Sequence, residues 1–450
     1  YGAPVRTPHL DRLAREGLRF DRAYCQFPLC NPSRASFLTG LRPDTTRVLT
    51  NGPRFRQFVP DVATLPQWFR RHGYVAARVG KLYHQGVPGG VGGPGLDDEA
   101  SWDVAIDPPG KDQTTPGEGR NLTPQYLPGV AFHWIIAASD GEDQADHAAA
   151  TEAIRLMERY RGRPFFLAVG LVRPHVPLVA PRRCYDAYPL ATIRLTQNPP
   201  GDRDDIPAPA LADREPDYGM TTEQQKEAIR GYYAAITFMD EQVGRVLAAL
   251  DRLGLRERTI VAFTSDHGYH LGEHGLWQKL SLFEESARVP LIVAVPRMAT
   301  AGRSTRALVE LVDLYPTLAD LCGLPIPEHV EGSSFRRVLE RPQIAWKQAA
   351  FTQVRRGGAH GRSLRTDRWR YTEWDEGQRG VELYDHRNDP REFRNLAGDP
   401  AYADRVADLR QRLRDGWRAA LPPDEEGSSR RRGQRLPARA TLITSRPSSR

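Results

Sequence analysis

The sequence is poor in cysteine and in lysine, and it has no long apolar run. Four cysteines in 450 residues, at positions 25, 30, 184 and 322, are too few and too scattered to build a disulfide scaffold. No apolar stretch approaches the ~18 residues of a membrane span. The longest, around Phe165–Val172 and Leu291–Val295, have strand length. Positive charge has little to say about partners. The formal net charge is +7, but Gly427–Arg450 alone carries arginines at 430, 431, 432, 435, 439, 446 and 450 and no acid. The rest of the chain is formally neutral, which removes the case for a nucleic-acid partner. That Ser-, Arg- and Pro-rich tail has no helical or strand period and reads as disordered. Lysine occurs only at 81, 111, 226, 279 and 347 in a chain with 63 basic residues, so each lysine marks a departure from the habit of using arginine.

The residues that are present suit a layered globular protein. A composition that is 40% hydrophobic and 26% charged is ordinary for a globular chain, and the length allows two or three domains with a large core. Helical spacing runs through His9–Gly17, Val62–Gly73, Ala145–Tyr160, Thr222–Leu253 (with Thr221 or Thr222 as cap), Arg306–Leu321 and Ala403–Ala420. Between these lie strand-like runs at Tyr74–Val79, Pro164–Val172, Thr259–Ser265 and Pro290–Val295; the second is continuous enough for a strand covered on both faces. Alternation of this kind predicts an α/β fold, a large, mostly parallel sheet with helices on both faces, over residues 1–344. From about Ala345 short polar-alternating segments (Arg362–Arg370, Tyr371–Trp374, Val381–Tyr384) predict a small C-terminal α+β subdomain to residue 426 with an antiparallel sheet, followed by the tail 427–450. Cys322 at a helix end, Cys25, and Cys184 in a loop read as structural thiols without metal-like company.

Active sites of such sheets lie beyond the carboxyl ends of the strands. Three strand ends are unusually polar: Gly80-Lys81-Leu-Tyr-His84, Arg173-Pro174-His175, and Asp266-His267-Gly268 followed by Gly272-Glu273-His274-Gly275 and Lys279. Each alone is better read as a turn or cap. Three in one sheet, two with scarce lysines, predict one cationic, carboxylate-bearing pocket for an anion.

The segment Leu29-Cys30-Asn31-Pro32-Ser33-Arg34-Ala35-Ser36-Phe37-Leu38-Thr39-Gly40 goes further. A buried cysteine opening a helix accounts for its proline and its apolar residues. It does not account for Cys, Pro, Ser and Arg at these offsets. Cys-x-Pro-Ser-Arg followed by Thr-Gly resembles the signature of the type I sulfatases, formylglycine-dependent enzymes of the alkaline phosphatase superfamily. The resemblance covers most of residues 1–400. It is closest to the iduronate-2-sulfatase branch through Phe37-Leu-Thr-Gly-Leu-Arg-Pro-Asp-Thr-Thr-Arg47, Phe165-Phe-Leu-Ala-Val-Gly170, Ala262-Phe-Thr-Ser-Asp-His-Gly268, Leu271-Gly-Glu-His-Gly275 and the spacing Lys81-x-x-His84.

The resemblance implies an alkaline-phosphatase-like fold and hydrolysis of sulfate esters on a uronic acid or other sugar of a sulfated glycan. A maturation enzyme would convert Cys30 to Cα-formylglycine, whose hydrate takes the sulfuryl group and then releases sulfate; Arg34 would hold it. Asp266 and His267, with residue 30, would ligate Ca²⁺. Lys81, His84, His175 and Lys279 would contact sulfate, His175 or His84 serving as general acid, and Arg47 would meet a substrate carboxylate. Relatives are usually exported, so an exported location is expected. In the family a pair of adjacent aspartates ends the first strand shortly before a Tyr-Gly pair. This sequence opens at Tyr1-Gly2, so the expectation is a fragment without that strand, with weakened metal binding; it carries no signal-peptide-like segment, and a chain cut at its start does not testify about one. Two other readings stay open: a choline or alkyl sulfatase, or a phosphonate or phosphate monoester hydrolase, on the same fold; and a catalytically inactive binding protein.

Overall fold

Strands with apolar faces need cover on both sides, and here helices supply it. The computed structural model describes residues 1–111, 114–211 and 214–423, so the arginine-rich tail lies outside the described residues. Leu18–Tyr24 pairs antiparallel with Arg288–Ala294, which pairs antiparallel with Val261–Thr264; Ser304–Thr305 and Val309–Glu310 add to Leu18–Tyr24 in parallel. A second ladder, Val104–Ile106, Val75–Gly80 and Phe165–Gly170, is parallel throughout. A third joins Gly117–Asn121, His133–Ala137 and Leu178–Pro181. The expected α/β architecture is present, with Arg288–Ala294 as an antiparallel strand in it.

Phe165–Gly170 and Val261–Thr264 each end their ladder. This corrects the reading of Pro164–Val172 as a strand covered on both faces: residues 165–170 are all only half-buried. The reason is the open edge, since among the described residues no strand pairs beyond it. Phe165, Leu167, Val261 and Phe263 nonetheless share one apolar cluster with Leu10, Leu13, Met239 and Leu247.

The helices follow their local signals where a cap is complete. Thr222–Arg252 begins at Thr221, whose hydroxyl accepts the Gln224 N–H while the Gln224 side chain accepts the Thr221 N–H. Pro8–Glu16 crosses it closely: a Cβ at Gly244 would fall 2.5 Å from the His9 ring. Thr7 supplies no side-chain cap to that short helix. Instead Asp240 accepts the N–H groups of His9 and Leu10 at 3.0 and 2.8 Å.

Three assignments need correction. Arg306–Leu321 is not one helix; the helix is Leu314–Leu321, because Val309–Glu310 joins the sheet and Glu310 and Asp313 form their own capping box. The helix in Val62–Gly73 spans only Leu65–Arg71, started by the Thr64–Gln67 capping box. Cys184 lies in the short helix Arg182–Asp186 and is buried, not in a loop.

The C-terminal strands Ala350–Arg356, Ala359–Arg365, Trp369–Trp374 and Val381–Asp385 form an antiparallel meander. Helix Ala403–Asp415 packs Leu409 and Leu413 on Leu364, Tyr371 and Leu383. Two buried ionic networks fasten this meander to the rest. Glu310 accepts Arg42 at 2.8 and 2.6 Å and Lys347 at 2.8 Å, and Lys347 also reaches Asp313 at 2.6 Å. Glu284, His386 and Glu392 bring ligand-type atoms within 4.8 Å of one another. Arg370 binds both carboxylates and Arg365 binds Glu284, so this trio is an ion-pair network rather than a metal centre.

Candidate active site

Cys30 is the first residue of helix Cys30–Thr39, with Leu29 extended before it and Gly40 left-handed after it. Pro32 fits because the first-turn N–H groups have no intrahelical partner to lose. Asn31 pins the turn, its side chain donating to the carbonyls of Thr50 and Pro53 at 3.1 and 2.8 Å. Lys81 follows strand Val75–Gly80 and is delivered through a close contact: a Cβ on Gly80 would fall 2.2 Å from the Gly170 carbonyl oxygen, and the Lys81 N–H donates to that oxygen at 3.0 Å. His175 follows Phe165–Gly170 by a turn whose Val172 and Arg173 N–H groups donate to Asp146 at 2.6 and 3.0 Å. Asp266 and His267 follow Val261–Thr264.

These segments converge on one side chain. Lys279 Nζ lies 3.1 Å from Cys30 Sγ, Lys81 Nζ 4.0 Å and His267 Nε2 3.4 Å. Burial opposes ionisation of the thiol, but Lys279, Lys81 and His267 together outweigh it and hold Cys30 well below the ordinary cysteine range. Burial in turn pulls the Lys81 ammonium below its usual value.

His267 Nδ1 is 2.7 Å from the Gly268 carbonyl. A carbonyl only accepts, so Nδ1 carries a hydrogen, and Nε2 faces Cys30 and Asp266, donating to them when the ring is charged and offering its lone pair when it is neutral. Asp266 Oδ1 is 3.7 Å from Nε2. Its other oxygen accepts from Arg34 Nε at 2.7 Å, and Arg34 Nη1 donates to the carbonyls of Lys81 and Leu82 at 2.6 and 2.9 Å. Burial raises the Asp266 carboxyl, yet Arg34 and His267 win and bring it down to about 2.

The structure therefore places Arg34 on Asp266 and the Lys81 turn rather than directly on residue 30. His175 donates Nδ1–H to the Val176 carbonyl at 2.7 Å, and burial together with Lys279 and Lys81 holds the ring well below its usual value. It is neutral in the resting site, with Nε2 free of the ring hydrogen. His84 Nδ1 is buried without a hydrogen-bond partner. Arg47 ends the short helix Pro43–Thr46 with φ of 55° and is exposed, and no hydrogen bond or ion pair joins it to the other site residues.

Two supporting groups complete the site, Ser33 from the Cys-x-Pro-Ser-Arg motif and Asp146, which no sequence motif marks. Ser33 donates to the Asp266 carbonyl, and Asp146 aligns the His175 turn. Leu271-Gly-Glu-His-Gly275 supports rather than touches the cluster. His274, at φ 57°, lies 3.1 Å from Asp202 and stacks on Phe283 at 4.2 Å, while Leu271 and His270 pair with Trp277 and Gln278 next to Lys279. A surface cleft of about 530 Å³ lined by Arg70, Tyr74, Asp103 and Arg159 lies at the opposite end of Val75–Gly80 and holds none of these groups.

Glu285, near His274, gives a measurable consequence. Burial, reinforced by Glu273 and Glu392, pushes its carboxyl up to about 8. The folded chain thus keeps a proton that the unfolded chain releases near pH 4.5, and stability from this group falls as pH rises toward 8. Glu285→Gln removes the titration. The variant is expected to melt close to the parent at pH 5 and above it at pH 8.5 by calorimetry; an equal difference at both values contradicts the assignment.

The family model described as Sulfatase matches residues 1–324, which is most of the chain. The chain belongs to the sulfatase family. A model described as N-sulphoglucosamine sulphohydrolase, C-terminal, matches residues 272–418 of the same sulfatase. A sulfatase of Formosa agariphila is 31% identical over 432 residues, covering 91% of this chain and 82% of that protein. The iduronate 2-sulfatase of Homo sapiens is 35% identical over 380 residues, 74% of this chain and 67% of that protein. In fold it is similar to a phosphonate monoester hydrolase from Silicibacter pomeroyi, with a TM-score of 0.78 and 24% identity over 93% of this chain and 91% of that one. The sulfatase is a sulfuric ester hydrolase of alkaline-phosphatase-like fold, and its family implies a formylglycine and a divalent metal. Among the described residues no helix is long and apolar enough to cross a membrane.

Proposed function

We propose that this sulfatase removes sulfate from a sulfated sugar, a 2-sulfated uronic acid first among them, after a maturation enzyme has converted Cys30 to formylglycine. The observation that carries the reading is the meeting of Lys279, Lys81, His267 and Asp266 around side chain 30. The 35% identity to an iduronate 2-sulfatase supports the substrate class. An exported location belongs to the same reading.

The donor set suits a divalent cation, proposed as Ca²⁺. The side chain at 30, Asp266 and His267 bring ligand atoms within 4.8 Å of one another, and Asp266 stays ionised down to about 2. Calcium usually takes about six to eight ligands, so the side chain at 30, Asp266 and His267 would hold part of its shell. The bound cation supplies neutralising charge at the sulfuryl oxygens. An aldehyde at position 30, as its hydrate, supplies two hydroxyls on one carbon, one for attack on sulfur and one for release of sulfate.

The chain's own residues do the rest. Lys279 and Lys81 are point charges aimed at the place where negative charge grows as the ester bond breaks. His267, with its hydrogen fixed on Nδ1, keeps Nε2 toward the reacting centre. His175 Nε2 is a proton acceptor in the resting site, suited to take a proton early and return it to the leaving oxygen. Arg34 holds Asp266 ionised and ties the Lys81 turn to it.

The test is turnover of a 2-sulfated iduronate disaccharide, p-nitrophenyl sulfate, p-nitrophenyl phosphate and phenyl phosphonate, with calcium and with a chelator. The reading expects the highest kcat/KM for the disaccharide and loss of activity with chelator. Preference for phosphate or phosphonate overturns the reaction class, and no turnover of any ester by protein shown to carry the modified residue 30 favours a binding protein.

A further inference from the structure

We infer that Arg356, on the C-terminal antiparallel sheet, is a positioning residue for Lys279. The inference deepens the proposed reading of the site and rests on it. Lys279 sits between two non-glycine residues in left-handed backbone, Gln278 at φ 71° and Leu280 at φ 73°. Such conformations persist only where the surroundings enforce them. Neither residue is small or of the Asn type that tolerates this region, so something on each side must hold the segment.

The holding contacts come from separate parts of the chain. The Gln278 side chain donates to the Val130 carbonyl at 2.5 Å. The Leu280 N–H donates to the Pro28 carbonyl at 3.1 Å, which ties the backbone beside Lys279 to the backbone two residues before Cys30. The Leu280 carbonyl accepts from Arg356 Nη1 at 2.5 Å, and Arg356 Nε donates to the Leu211 carbonyl at 3.1 Å. Arg356 thus reaches from strand Ala350–Arg356 to the residue after Lys279 and to the backbone at Leu211 in one planar fork. A guanidinium on a carbonyl is a directional, charge-assisted contact. It fixes the peptide plane of Leu280, and with it the direction of the Lys279 stem toward residue 30, whose Sγ lies 3.1 Å from Nζ. Arg356 touches neither substrate nor the reacting atoms on this view; it acts through Lys279.

A double-mutant cycle tests this on the mature full chain with p-nitrophenyl sulfate. Arg356→Met is expected to lower kcat about tenfold to hundredfold with a smaller change in KM, because a displaced charge is felt most in the transition state. Arg356→Lys, which keeps one donor, is expected to recover most of the loss. In a Lys279→Met background the same Arg356→Met change is expected to cost less than about twofold, since nothing remains to be positioned. An equal factor in both backgrounds, or no recovery by lysine, overturns the positioning role and leaves the site reading intact. A Lys279→Met variant as active as the parent overturns the site reading itself. Should Arg356→Met fail to fold, as judged by its melting transition, Arg356→Gln carries the same cycle.

Discussion

Cys30→Ala is expected to remove sulfatase activity, by on the order of 10⁴-fold or more in kcat for a lost nucleophile, while leaving the fold intact. The side chain is small and buried and is followed by a helix held through Asn31, Gly40 and the Leu29–Ser33 backbone bond, none of which needs the thiol. Cys30→Ser separates two accounts of the loss. A serine hydroxyl in the same cationic pocket attacks once but has no second hydroxyl on its carbon to expel sulfate. Stopped-flow release of p-nitrophenol is therefore expected to stop at one equivalent per chain or less. Sustained turnover by the serine variant contradicts the need for two hydroxyls at position 30.

Arg370→Met is expected to cost about 3–5 kcal/mol of stability, because it strands buried charge. Arg370 is fully buried and holds Glu392 at 2.5 Å and Glu284, while Tyr24 donates to Glu284 at 2.9 Å and His386 meets Glu392 at 2.7 Å. Methionine fills the volume but takes from Glu392 its main partner and from Glu284 one of its two arginines. Adding Glu284→Gln and Glu392→Gln is expected to return part of the loss, since it is unpaired charge rather than missing contact that hurts. Urea titration of the single and triple variants measures both; a triple variant no better than the single contradicts the electrostatic account. The effect reaches the site, since the Gly268 and Tyr269 N–H groups after His267 donate to the Ser286 and Glu285 carbonyls beside Glu284.

Much of this molecule is legible locally, and the illegible parts share a cause. Ala145–Tyr160 runs as its periodicity requires, and Thr222–Arg252 as its periodicity and its capping box require. Lys81 and His175 fall where strand ends place them, because the parallel strands Val75–Gly80 and Phe165–Gly170 send their carboxyl ends to one side, whereas Asp266 and His267 reach the cluster from the end of Val261–Thr264 in another ladder rather than from the same sheet. Leu18–Tyr24 escapes notice, since Arg22 breaks the alternation that Leu18, Arg19, Phe20 and Asp21 begin, at the point where the pairing register shifts; Arg22 is nevertheless buried, paired with Asp367 from a segment far along the chain. Arg306–Asp313 carries a helical pattern but is claimed by the sheet and by the Arg42–Glu310–Lys347 network. Two of the scarce lysines, 81 and 279, serve the site, whereas Lys347 serves the core. The sulfatase resemblance names the site residues; it does not say that Arg34 binds Asp266, that His175 rests neutral, or that Arg356 reaches Leu280. Those follow from contacts between residues distant in the sequence, which no local pattern encodes.

The most direct measurement is the mass of the tryptic peptide containing residue 30, from protein produced with and without a formylglycine-generating enzyme, read beside sulfate release by the same two samples. The account predicts an aldehyde at position 30 only in the first sample, and hydrolysis only there. Full hydrolysis by protein whose residue 30 is an unmodified thiol would contradict it.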